Sequence, residues 1–96
     1  MVQNNFSAIN DIIKNIIKKY ELEKIVLEGQ TVKEWNNVVG TRISKVTKAI
    51  KVSDGKLFVQ VLNNSWRTEL MLLRLEIKKN INNQVGSDFI KDIIFV

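Results

Sequence analysis

Arg42, Lys45, Lys51, Lys56, Arg67, Arg74 and Lys78 are the side chains of this sequence best suited to chemistry, and that chemistry is contact with phosphate. Cations of this kind neutralise a polyanion and release its counterions, so the binding they support weakens steeply with salt. Phe58 lies among them in sequence and offers a ring on which a base could stack. The alternative reading places that ring beneath a neighbouring loop. Fifteen basic residues against ten acidic give a net charge of +5, a balance that favours phosphate polyanions or an acidic protein surface.

What is missing narrows the function further. The sequence has no cysteine and no histidine, which removes thiolate and imidazole metal sites, the Cys/His and Ser/His nucleophile systems, and any disulfide framework. The carboxylates have simple structural roles instead: Glu34 caps a helix, Asp54 makes a turn, and Glu69 and Glu76 solvate a helix flank. With no general base or activated nucleophile of recognisable type, the expectation is a protein without enzymatic activity, metal or cofactor.

Ninety-six residues, 45% hydrophobic and 26% charged, fit one small domain over residues 1–96. Residues 1–4 are expected to be flexible. The apolar runs are too short to span a membrane, and no basic end, apolar centre and small-residue cleavage site combine into an export signal. The expected location is the cytoplasm.

The elements that would position the cations read as follows. Phe6, Ile9, Ile12, Ile13, Ile16, Ile17 and Tyr20 recur at intervals of three and four, which predicts a helix over residues 5–20 that buries this stripe. A short helix is expected over 21–30, interrupted at Gly29-Gln30. Thr31 and Glu34 form a capping-box signature for a new helix whose apolar side is Val32, Trp35, Val38 and Val39. If that helix continued unbroken, Arg42 would fall about 20° from Trp35, inside the apolar stripe. A kink at Gly40 is therefore predicted, turning Ile43 and Val46 inward and Arg42 and Lys45 outward.

Asp54-Gly55 between two alternating stretches is the signal for a two-residue type I′ hairpin. Centring the turn there pairs Val52 with Leu57, Ile50 with Val59 and Lys48 with Val61 on a buried face. The wet face then pairs Lys51 with Phe58, Ser53 with Lys56 and Ala49 with Gln60. Asn63, Asn64 and Ser65 are good caps for a helix from about Trp66 to Asn82 whose core stripe is Trp66, Leu70, Leu73, Ile77 and Ile81. Arg67, Met71, Arg74 and Lys78 form a ridge beside it. Leu72 and Leu75 point away from the stripe, either as an exposed contact patch or as a second buried side against the first helix. Gly86 marks a break, and Phe89–Val96 reads as a last strand with Ile93 and Phe95 buried. The fold class is α+β: two layers, in the order helix, helix, hairpin, helix, strand, with helices over one face of a three-stranded sheet.

One combination of residues carries a family resemblance: Trp35-Asn36-Asn37-Val38-Val39-Gly40, Ile43, Thr47, Asp54-Gly55-Lys56-Leu57, Val59, Val61, Asn64-Ser65-Trp66, Glu69-Leu70, Asn82 and Asp92-Ile93. In order and spacing over residues 6–96 it resembles the family of DciA, the bacterial operator of the DnaB-type replicative helicase. The resemblance implies a KH-like domain that associates with that helicase, assists its loading onto single-stranded DNA, and touches nucleic acid itself. The chain ends at the last strand and so reads as a short form without the basic C-terminal extension of longer members. It also lacks the Gly-x-x-Gly loop with which KH domains clamp four nucleotides. Two alternatives stay open: a general KH-like binder of RNA or DNA, and a protein-interaction module without nucleic-acid contacts, for which Leu72 and Leu75 are the candidate contacts. A monomer is expected.

Overall fold

The computed structural model describes the backbone of residues 2–96 and the side chains of residues 10–96. The expectations on residues 1–4 and on burial of Phe6 and Ile9 fall outside this description. The elements run α1 (Val2–Ser44), β1 (Thr47–Ser53), β2 (Lys56–Val61), a 3₁₀ turn (Asn64–Trp66), α2 (Arg67–Val85) and β3 (Asp92–Phe95). The sheet order is β1-β2-β3, with β2 central, antiparallel to β1 and parallel to β3. This is a small two-layer α+β fold whose helices cover one sheet face.

The N-terminal half departs most from expectation. One helix replaces three, because Gly29 keeps helical geometry and Gln30 continues it; a helical glycine costs only about 1 kcal/mol, and no proline enforces a stop. Thr31 is not a cap. It is buried inside the helix, and its hydroxyl donates to the Leu27 carbonyl at 2.8 Å, which satisfies it without ending the helix. The expected stripe is likewise not buried: Ile12, Ile13, Ile16, Ile17 and Tyr20 are each about half exposed or more. They precede the buried part of α1, which begins at Leu27, although Tyr20 borders the hairpin turn and the loop before β3 at Gly55 and Phe89. Leu22, Ile25 and Val26 are exposed as well, and lie on other sides of the helix.

The kink at Gly40 is present, at φ 82 and ψ 175. A positive φ suits glycine, and the change of direction sends Arg42 into solvent while Ile43 packs on the core. Trp35 is fully buried, its indole N–H donating to Thr47 Oγ1 at 2.9 Å, and Thr47 donates in turn to the Ile43 carbonyl at 2.7 Å. This chain of bonds ties α1 to β1 across the kink.

The hairpin turns at Asp54 (φ 52) and Gly55 (φ 74), as the type I′ geometry requires. Near the turn the register is the expected one: Val52 with Leu57, Lys51 with Phe58, Ser53 with Lys56. Farther away it is not. A bulge between Ala49 and Lys51 sets Ala49 opposite Val59, Lys48 opposite Gln60 and Thr47 opposite Val61, so one extra residue moves each later side chain to the other face. Ile50 is 46% exposed rather than buried, and Lys48 is moved to the wet face.

Gly55 also anchors β3. Its carbonyl accepts from the Lys91 amide at 2.7 Å, and a Cβ there would meet the Phe89 carbonyl oxygen at 3.1 Å and Lys91 Cγ at 3.2 Å. Gly55→Ala is expected to destabilise the protein by about 1–3 kcal/mol, read as a fall of several degrees in Tm. A Tm within one degree of wild type would contradict this account of the turn.

The core is Trp35, Val52, Leu57, Val59, Val61, Leu70, Ile77, Ile81, Ile90 and Ile93. Trp66 and Leu73, expected in the core stripe of α2, are only half-buried at its border. Phe95 is half-buried too, and Ile90 takes the second buried position beside Ile93. Gly86 ends α2 in the left-handed conformation (φ 74, ψ 27). The following loop is held by Asn82, which is 7% exposed: its Nδ2 donates to the Ile90 carbonyl at 3.0 Å and its Oδ1 accepts from the Ile90 amide at 3.2 Å.

Candidate nucleic-acid interface

With the helices covering the inner side of the sheet, the outer side faces solvent and collects what alternation sends there. Lys48 and Lys51 come from β1, and Lys56, Phe58 and Gln60 from β2. Phe58 is half-buried, opposite Lys51 in one direction and Ile94 of β3 in the other. The Lys51 ammonium lies 5.4 Å from the centre of the Phe58 ring, within the range of a cation–π contact. The ring is therefore braced between strands rather than hidden under a loop.

Lys48 is a cation of this face that sequence reasoning missed, because ideal alternation put it opposite Val61 on the buried side. The available signal was its own charge, since an unpaired ammonium is rarely buried.

A second group forms where α1 bends and α2 begins. The Arg42 guanidinium lies 5.3 Å from the centre of the Trp66 ring. The neighbouring Arg67 is oriented by a 2.8 Å bond from its Nε to Asn64 Oδ1. Asn63 organises the turn that presents them, its side chain accepting from the Ser65 amide at 3.0 Å and from the Ser65 hydroxyl at 2.7 Å. Lys45, past the kink, is exposed.

The proposed ridge on α2 is less uniform than its spacing implies. Arg74 Nε lies 3.7 Å from Asp92 Oδ1, without a hydrogen-bond partner, and its side chain is 36% exposed. That carboxylate sets a negative charge beside the guanidinium, in a partly exposed pair of the weak kind. Lys78 is half-buried at a cavity of about 280 Å³ shared with Lys79, Asn82 and Lys91. Both sit on α2, and Asp92, which meets Arg74, is the register neighbour of Lys56 across β2 and β3. Arg74–Asp92 is the one ion pair among the described residues, so the lysines of the sheet face have no acidic partner within bonding distance. Leu72 and Leu75, 81% and 68% exposed, are not a buried side against α1; with Met71 at 51% they form an apolar patch on α2. Among the described residues, no group of three acidic side chains could hold a metal ion, and no helix is long and apolar enough to cross a membrane.

Fold and surface together define a small α+β protein that, among its described residues, displays unpaired cations and exposed apolar side chains. Residues 8–95 match the family model described as Dna[CI] antecedent, DciA, and the chain belongs to the DciA family. A UPF0232 protein of Corynebacterium glutamicum (strain R) is 23% identical over 86 residues, which cover 90% of this chain and 48% of that relative. The chain thus spans about half the length of the curated relative it matches.

Proposed function

We propose that this chain is a non-enzymatic replication accessory protein that associates with a DnaB-type replicative helicase and holds single-stranded DNA while the helicase is loaded. Family membership supports the replication-linked, helicase-associated part of this reading. The DNA contact rests on one observation: Lys51 lies over the Phe58 ring, and Lys48 and Lys56 stand on the same solvated sheet face, none of the three in an ion pair. Arg42, Trp66, Arg67 and Lys45 extend the same chemistry at the bend of α1. A flat face with a braced ring and ammonium groups on long stems suits a single strand, whose bases stack while its phosphates are neutralised.

Fluorescence anisotropy with a labelled oligonucleotide tests it. Wild type should bind in the micromolar range, and replacing Lys48, Lys51 and Lys56 together by glutamine should flatten the plot of log K against log salt by about 2, at roughly 0.7 for each phosphate left without its cation. Phe58→Ala should weaken binding by about 1–3 kcal/mol, the usual loss of one stacked base. Arg74→Gln should matter less, because a carboxylate already stands beside that charge. An unchanged salt slope in the triple variant would remove the sheet face from the proposal.

Met71, Leu72 and Leu75 favour a separate contact with the helicase through α2. Leu72→Asp combined with Leu75→Asp should abolish capture of the purified helicase and leave DNA anisotropy unchanged. Capture that fails only in the lysine variant would instead assign helicase binding to the sheet face.

A further inference from the structure

A cleft opens where α1 passes the tip of the hairpin. Two cavities of about 190 and 400 Å³ share Tyr20, Lys24 and Phe89 in their walls, and the larger is completed by Asp54, Gly55 and Lys91. Its size falls within the range of about 300–1,000 Å³ common to small-ligand sites. On the α1 side stands Tyr20, an aromatic residue 71% exposed to solvent. On the other side stands Phe89, half-buried and packed on the border of the core.

The residues around Phe89 are tied down on both sides. The Asn82 carbonyl accepts from the Gly86 and Ser87 amides, the Asn82 side chain bonds both backbone groups of Ile90, and the Lys91 amide donates to the Gly55 carbonyl at 2.7 Å. A ring held in place before a ligand arrives costs little ordering entropy on binding. The rim carries positive charge. Lys91 Nζ donates to the Asp88 carbonyl at 3.1 Å, an uncharged acceptor that orients the ammonium and leaves its charge uncompensated. Lys24 is exposed, and neither lysine is in an ion pair among the described residues. The carboxylates of Glu23 and Asp54 also border the cleft, where they can accept from the exocyclic amino group of a base.

We propose that this cleft is a second subsite for a single strand of nucleic acid: one base enters between Tyr20 and Phe89, and the adjoining phosphates meet Lys24 and Lys91. Aromatic walls with ammonium groups on the rim complement a nucleotide, which is flat and apolar at the base and anionic beside it. The proposal rests on the reading of the sheet face as a DNA surface and continues it past the hairpin tip. Phe58 and Gly55 are three residues apart in the chain, about 10 Å at 3.3 Å per residue, so a strand stacked on Phe58 passes Lys56 and arrives at the cleft. A duplex keeps its bases paired and does not enter.

Fluorescence anisotropy with a labelled oligodeoxycytidylate of about twelve nucleotides tests the subsite. Tyr20→Ala should weaken binding about fivefold or more, the loss of one stacked base, with Tm unchanged because the side chain is exposed. Phe89→Leu should do the same while keeping the apolar packing. Lys24→Gln with Lys91→Gln should flatten the plot of log K against log salt by about 1.4, at roughly 0.7 for each phosphate. Binding of a duplex of equal length should respond to Tyr20→Ala by less than twofold. Wild-type affinity in Tyr20→Ala, while the combined Lys48, Lys51 and Lys56 variant is still weakened, overturns the cleft and spares the sheet face. A wild-type protein that binds no oligonucleotide removes both. Titration with deoxycytidine monophosphate, followed by the amide resonances of Gly55 and Lys91, separates a strand from a free nucleotide: the monophosphate should shift both but bind at least tenfold more weakly than the strand, and equal affinity would overturn the proposal.

Discussion

Trp35→Ala is expected to cost about 3–5 kcal/mol, a large share of the stability available to a chain of this size at roughly 0.05–0.15 kcal/mol per residue. Two losses combine. The indole is fully buried at the centre of the core, so truncation leaves a cavity that β1, β2 and α2 cannot close without shifting. The same change removes the donor to Thr47, whose hydroxyl links α1 to β1 through the Ile43 carbonyl. Trp35→Phe separates the two: it keeps most of the packing and gives up the hydrogen bond, for about 1 kcal/mol plus a smaller packing loss. Urea unfolding followed by the fluorescence of Trp66 measures both variants. A loss under 1 kcal/mol for Trp35→Ala would mean that α1 does not depend on this anchor.

Asn82→Leu should destabilise by about 2–4 kcal/mol, an effect out of proportion to the size of the change. The amide meets both the N–H and the C=O of Ile90, acting as a strand neighbour for a residue that has no strand beside it. Leucine fills the volume but leaves two buried backbone groups unpaired, each worth roughly 1–3 kcal/mol. The backbone carbonyl of Asn82 also accepts from the Gly86 and Ser87 amides at 2.9 and 3.1 Å, so the loop is fixed at both ends. Hydrogen exchange locates the damage: the amides of Ile93 to Phe95 should exchange faster than in wild type, with those of β1 much less affected. Uniform acceleration through the whole sheet would place Asn82 in the global core rather than at the seam of β3.

The part of the fold that was legible in the sequence is the part governed by local rules. Asp54-Gly55 specifies its turn because both positions need positive φ. Gly40 specifies a kink because a straight helix would bury Arg42. Leu70, Ile77 and Ile81 follow the helical period. The failures begin where a local pattern was extended too far. Perfect alternation from the turn misplaced Lys48 and Ile50 because a single bulged residue is invisible to periodicity. Trp66 has the size and spacing of a core residue, yet it lies at the border of α2 and takes Arg42 over its ring. Thr31 and Glu34 make a sound capping pair, but a helix already running through them has no free amides to cap.

The candidate interface divides along the same line. Lys51, Lys56 and Phe58 were paired correctly because they lie within a few residues of the turn that sets their register. Arg67, Arg74 and Lys78 share a helical ridge by spacing alone, whereas Asp92, arriving from the far end of the chain, sets a carboxylate beside Arg74.

By itself the sequence determined element type, turn geometry, the excess of positive charge and the absence of thiol and imidazole chemistry, all of which depend on residue identity and near neighbours. Tertiary structure decided which apolar stripe is buried. The period of residues 9–20 matches that of a core helix, but burial needs a second surface packed against it, and among the described residues the side chains of α1 become buried only from Leu27 onward.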